Sequence, residues 1–168
     1  MKLHSYVSSP QNGADPDLAP EYVSPPLFHA IMVHSLQMVK ILVKYRATID
    51  KREIPLNAGR SRTPMHIAVD WKKTEIVQYL LEQGADPNAC HSDGIPAIGA
   101  AADSGDPKLI QLLVDKGSHV NVTYLNKETA PLHEAVPFPE TLRLLLQHVA
   151  DITKFNSTSQ TPWTLPFL

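Results

Sequence analysis

Residues 63–89, "TPMHIAVDWKKTEIVQYLLEQGADPNA", hold two short apolar-patterned runs separated by Lys72-Lys73 and closed by Gly-Ala-Asp-Pro-Asn. Each run is shorter than the roughly 12–15 residues that an isolated helix needs in water. A chain that builds such pieces must cover them with something, and this chain supplies the cover by writing the pattern again. Further copies are "PPLFHAIMVHSLQMVKILVKYRATID" at 25–50, "IPAIGAAADSGDPKLIQLLVDKGSHVNV" at 95–122 and "APLHEAVPFPETLRLLLQHVADIT" at 130–153. Aligning Pro26, Pro64, Pro96, Pro131 and Pro162 gives steps of 38, 32, 35 and 31 residues. A period near 33 residues, with each unit unable to bury its own apolar side, predicts a stack of helix pairs.

The motifs resemble the ankyrin repeat. "TPMHIA" and "APLHEA" match its Thr-Pro-Leu-His-x-Ala signature, and "QGADPNA" matches its Gly-Ala-Asp-x-Asn ending. The resemblance implies an all-α solenoid of helix-turn-helix units joined by hairpin loops. It places a degenerate N-terminal repeat or cap at 1–23 and four repeats over 24–156, at about 24–58, 59–91, 92–126 and 127–156. A truncated fifth unit or cap, ending in "TPWTLPFL", follows at 157–168. "NGADPD" at 12–17 reads as the tail of a unit whose second helix is spoiled by Pro10.

The parts have physical roles. Thr63 can cap a helix, and Pro64 at the first helical position lacks an N–H that would be orphaned anyway. The resemblance implies ring hydrogen bonds for His66 and His133, so both are read as structural. Ala68, Ala100 and Ala135 are small where helices must approach. Gly84 and Gly117 end second helices where a left-handed residue is usual. Arg46 and Val149 take that place in the first and fourth copies, and Val149 is expected to avoid the conformation because its side chain is β-branched. Pro137 and Pro139 should stop the fourth unit's first helix near Val136. The stretch 51–62 is longer than its counterparts and lengthens one hairpin.

Charge and composition exclude several classes. The 168 residues are 43% hydrophobic with net charge −2, so a core forms without metal or disulfide and no basic excess points to nucleic acid. Nine bases, Lys40, Lys44, Arg46, Lys51, Arg52, Arg60, Arg62, Lys72 and Lys73, crowd the first half, while acids dominate from Glu75 to Asp151. The single Cys90 suits a reducing, intracellular compartment, cytoplasmic or nuclear, and no apolar run reaches the ~18 residues of a membrane span. Cys90-His91 lacks the further ligands of a zinc site, no phosphate loop or nucleophile motif occurs, and no metal or cofactor is expected.

Function in such stacks is usually carried by the concave side. Family geometry places His29, Met32, Val33, Asp70, Trp71, Asp103, Glu134 and Phe138 there, with His91, Asp93 and Tyr124 at hairpin tips. Trp71 is the strongest candidate, since an exposed Trp is a natural binding anchor. Asp70, Asp103 and Glu134 are expected to line one groove. The reading is a module that binds another protein through these residues. A different class of reading has the concave face cup a small molecule, or act as a cyclase- or isomerase-like pocket, with Asp103, Glu134 and His91 in the catalytic roles; the balance of motifs leans against an enzyme. A third reading is a fragment of a longer array. The apolar "WTLPFL" needs cover and could support a homodimer.

Overall fold

A computed structural model of the chain describes residues 15–19, 23–52, 61–124 and 129–148. These contain eight helices: α1 Pro26–Met32, α2 Leu36–Lys44, α3 Pro64–Asp70, α4 Thr74–Glu82, α5 Ala97–Ser104, α6 Pro107–Asp115, α7 Pro131–Glu134 and α8 Pro139–Gln147. The extended pairing among the described residues is a single antiparallel bridge, Cys90 with Pro96. Each odd helix packs on the even helix that follows it and on the next odd helix, and α2, α4, α6 and α8 pack in sequence behind them. The result is an inner row of odd helices, an outer row of even ones, and a core running the length of the stack. The expected all-α repeat architecture is therefore what forms.

Local chemistry sets each boundary. Ser35 caps α2 by accepting from the Met38 N–H, and the Asp106 carboxylate caps α6 through the Lys108 and Leu109 N–H groups. Thr63 and His66 form a reciprocal capping pair at the start of α3. The first three outer helices end in left-handed residues, Arg46 at φ 69°, Gly84 at 91° and Gly117 at 90°. The N–H after each, on Ala47, Ala85 and Ser118, then reaches back to the carbonyl of Leu42, Leu80 or Leu113. Arg46 thus takes the strained conformation without the glycine that eases it; Val149 lies outside the described residues. α7 ends at Glu134, with Ala135 as its cap, slightly ahead of the stop expected from Pro137 and Pro139.

The third unit departs from the spacing its proline implies. Thr63 precedes α3 and Pro64 opens it, but Pro96 stands before α5, in the place of Thr63. Successive inner helices start at Pro26, Pro64, Ala97 and Pro131, so the third unit is displaced by one residue from its proline. Ala101, fully buried, is accordingly the counterpart of Ala68, while Ala100 is half-buried.

Hydrogen bonds at one-unit spacing stitch the hairpin side. Asn88 donates from Nδ2 to the Gly117 carbonyl (3.1 Å) and accepts the His119 N–H (2.8 Å). One unit earlier Asp50 stands in the place of Asn88 and accepts the Asp86 N–H at 3.1 Å. Its other oxygen, Oδ1, is buried with no partner, because a carboxylate cannot donate as Asn88 does. Earlier still, Asp17 accepts from both the N–H and the hydroxyl of Thr48, so there the second oxygen is satisfied. Deeper in, His66 accepts the Thr63 N–H at Nδ1 (3.4 Å) and points Nε2 at the Ile95 carbonyl (3.0 Å) of the next unit. A neutral ring with its proton on Nε2 fits both contacts, and burial, ahead of the other influences, lowers its pKa to about 4.

Two tests follow from these junctions. A lowered folded-state pKa means that the unfolded chain takes up the proton first. The His66 contribution is therefore complete above its ordinary value of 6.5 and falls away as pH drops towards 4. Urea melts across that window should lose up to about 3 kcal/mol through this residue, and His66→Gln should flatten the slope. At Asp50, burial raises the carboxyl pKa, so its ionised form penalises the fold at neutral pH and the penalty fades on acidification. Asp50→Asn should gain about 1 kcal/mol at pH 7, a Tm rise of roughly 2–4 °C, and the gain should shrink as pH falls.

Candidate functional site

The inner row ends, on the side away from the hairpins, in turns that cross to the outer row. Each of the first three turns holds a left-handed residue: His34 at φ 59°, Lys72 at 51° and Gly105 at 65°. Each also meets the following unit. The His34 ring meets Trp71 edge-on, with centroids 5.3 Å apart at 62°. Lys72 Nζ donates to the Ser104 carbonyl at 2.9 Å. Phe138 covers Gly105 so closely that a Cβ there would lie 2.7 Å from Phe138 Cε1.

Trp71 caps the C-terminus of α3 and is 50% exposed despite its contact with His34. Val33 occupies the corresponding place after α1 and is 64% exposed, with Met32 beside it at 49%. These three make an apolar ledge along the first two units. Around it lie His29, exposed on α1, and Asp70, the last residue of α3. Asp70 Oδ2 pairs with Arg62 Nη1 at 3.1 Å, an exposed ion pair of small energetic weight that orients both side chains. Asp103 is exposed at the same position of α5, one unit along.

Other residues named from the sequence are placed differently. Glu134 does not continue the Asp70–Asp103 line. It is the fourth residue of its inner helix where they are the seventh, and it accepts from Thr129 Oγ1 at 3.3 Å while half-buried. Phe138 is half-buried over Gly105, not presented to a partner. His91 is only 6% exposed; its Nδ1 accepts the Asp93 N–H at 3.0 Å, and its ring lies 5.4 Å from that of His66. Asp93 is half-buried and accepts from Ser92 Oγ at 3.2 Å.

Tyr124 is the clearest correction. Expected at an accessible tip, it is 1% exposed, with its hydroxyl buried and unpartnered. The reason lies in the one-residue displacement of the third unit, which puts Gly99 where His66 stands in the second. Tyr124 is the counterpart of His91, since both donate their backbone N–H across the hairpin, to Thr129 and Ile95 respectively. Where His66 and His91 face each other, Gly99 and Tyr124 do. A Cβ on Gly99 would lie 2.7 Å from Tyr124 Cζ, so the tyrosine ring fills the volume of the missing histidine. Burial, then the Glu134 and Asp103 carboxylates, push its ionisation above the ordinary range.

A shallow cavity of about 440 Å³ lies on the hairpin side, lined by Arg52, Cys90, His91, Ser92, Gly94, Val122 and Thr123. It contains neither Asp103, Glu134 nor Trp71, so the residues named for a catalytic pocket do not converge in it. Burial raises the Cys90 thiol pKa, which keeps the thiol protonated. No group of three metal-ligating side chains occurs among the described residues, and no helix among them is long and apolar enough to cross a membrane. The ledge residue that sequence reasoning missed is His34; its only signal is its place two residues after Met32, matching Lys72 after Asp70.

A family model described as ankyrin repeats, three copies, matches residues 6–90. The chain is 30% identical over 109 residues to ankyrin repeat protein FPV014 of Fowlpox virus (strain NVSL), a match covering 65% of the chain and 24% of that relative. It is 31% identical over 133 residues to the B-cell lymphoma 3 protein homolog of Mus musculus, covering 76% and 29%. Over 68 residues it is 41% identical to protein phosphatase 1 regulatory subunit 27 of Homo sapiens, covering 40% and 41%. The matches thus span less than half the length of each of these relatives.

The Gly99–Tyr124 fit yields a direct test by thermal melts. Tyr124→Phe removes a hydroxyl that bonds nothing and should leave Tm unchanged or higher. Gly99→Ala should cost about 1–3 kcal/mol through overpacking.

Proposed function

The chain belongs to the ankyrin-repeat family, and from that premise we propose that it binds another protein through the ledge of Met32, Val33 and Trp71. Ankyrin repeats are in general protein–protein interaction modules, and the scaffold leaves the partner open. The relative named as a regulatory subunit of protein phosphatase 1 is, by that name, a protein that works through another protein.

The observation that carries this reading is the half-exposed Trp71 beside exposed Val33 and Met32, rimmed by the Asp70–Arg62 pair, Asp103 and His29. Clustered large apolar groups with a polar rim mark interaction surfaces, and tryptophan is enriched among residues that dominate binding energy. The His34 ring braces the indole from one side, so less side-chain freedom is lost when a partner covers it. Asp103 has the exposure to meet a basic group on that partner.

Affinity capture from cell extract, with wild type and Trp71→Ala compared quantitatively, tests the proposal. Loss of about 2 kcal/mol or more, some thirtyfold in affinity, is expected for the protein captured by wild type. Equal recovery by both forms rejects the ledge as the binding surface.

A further inference from the structure

The outer row carries a second apolar surface that the ledge does not use. Met38 of α2, Ile76 of α4, Leu109 of α6 and Thr141 of α8 are each the third residue of their helix. Their exposures are 54%, 3%, 0% and 0%. Three residues on, Ile41 is 46% exposed while its counterparts Tyr79, Leu112 and Leu144 are half-buried. Tyr45, just after α2, continues the stripe at 67%.

The direction of this face is fixed by its counterpart. Lys40 of α2 lies over the Tyr79 ring, 5.6 Å from the centroid, so the Tyr79 position looks back at the preceding outer helix. Ile41, in the same position one unit earlier, therefore looks away from α4, to where a preceding outer helix would lie. On the hairpin side that earlier place is filled, since Asp17 makes with Thr48 the bond that Asp50 makes with Asp86. On the outer row, no described residue buries Met38, Ile41 or Tyr45. Among the described residues this outer-row face presents three large apolar groups in a row, where a solvent-facing side is ordinarily polar.

Charge narrows what fits. α2 contains no acidic residue, and Lys44 and Arg46 stand exposed along the stripe. No carboxylate among the described residues pairs with either. We propose that Met38, Ile41 and Tyr45, flanked by Lys44 and Arg46, form a docking surface for an acidic amphipathic helix of another protein. That helix lies along α2 as α2 lies along α4. Its apolar stripe covers the three side chains, and its glutamates or aspartates meet the two cations. The surface is separate from the Trp71 ledge and does not depend on it.

The test uses the full chain and two labelled peptides of roughly 15 residues, long enough to hold a helix. Both carry leucine at i, i+3 and i+7; one is flanked by glutamate and the other by lysine. Fluorescence anisotropy should show binding of the glutamate peptide, weakened tenfold or more by Met38→Asp and unaffected by Trp71→Ala. Lys44→Glu should weaken the glutamate peptide and shift preference to the lysine one. Thermal melts accompany each variant, and if Met38→Asp lowers Tm, Lys44→Glu decides. The proposal is overturned if neither peptide binds, if both bind equally, or if Met38→Asp binds as wild type does. Sedimentation showing a wild-type dimer that Met38→Asp dissolves also overturns it, since the face then belongs to a second copy.

Discussion

Everything in this molecule hangs on the junction between one helix pair and the next. Six of the seven residues of α3 are buried, which two short helices alone could not achieve. Each buried Leu or Ile contributes roughly 1.5–3 kcal/mol, but only once the neighbouring unit excludes water from it. Polar groups are aligned on the same seams. His66 reaches the Ile95 carbonyl, Asn88 reaches Gly117 and His119, and Lys72 reaches Ser104, all from one unit to the next. Packing and hydrogen bonding therefore close together, and the surfaces available for partners are the places where this closure stops.

Those junctions are not equally well made. At the first, the Thr48 hydroxyl satisfies the second oxygen of Asp17. At the second, Asp86 offers a backbone N–H but no side-chain donor, and Asp50 keeps a buried bare oxygen. At the third, an amide replaces the carboxylate and both ends are satisfied. The same backbone geometry thus meets three side-chain solutions, one of which leaves local strain in the middle of the stack.

The architecture was legible because stacking demands periodicity, and periodicity survives single-residue irregularities. The left-handed ends at Gly84 and Gly117 and the cap at Thr63 were readable for the same reason: the backbone conformation selects the residue. Side-chain direction was not readable in that way. Aligning Pro96 with Pro64 shifted the third unit by one residue, and that shift hid the exchange of His66 and His91 for Gly99 and Tyr124. It made a buried tyrosine look like a surface one. Glu134 was grouped with Asp70 and Asp103 because all three are acids on inner helices, yet α7 is only four residues long and holds its acid nearer the hairpin. Residues 53–60, 157–168 and most of the N-terminal piece lie outside the described residues.

Gly99 and Tyr124 have a wider meaning for how such a chain can change over evolutionary time. The third unit brings a hollow where its neighbour brings an imidazole, and the hairpin beyond it brings the ring that plugs the hollow. A unit carrying His66 placed before Tyr124 would drive two rings into one space, and Gly99 opposite His91 would leave a void. The modules look alike but are keyed in order, so duplication, loss or shuffling of a single one would need a second change across the seam to be tolerated.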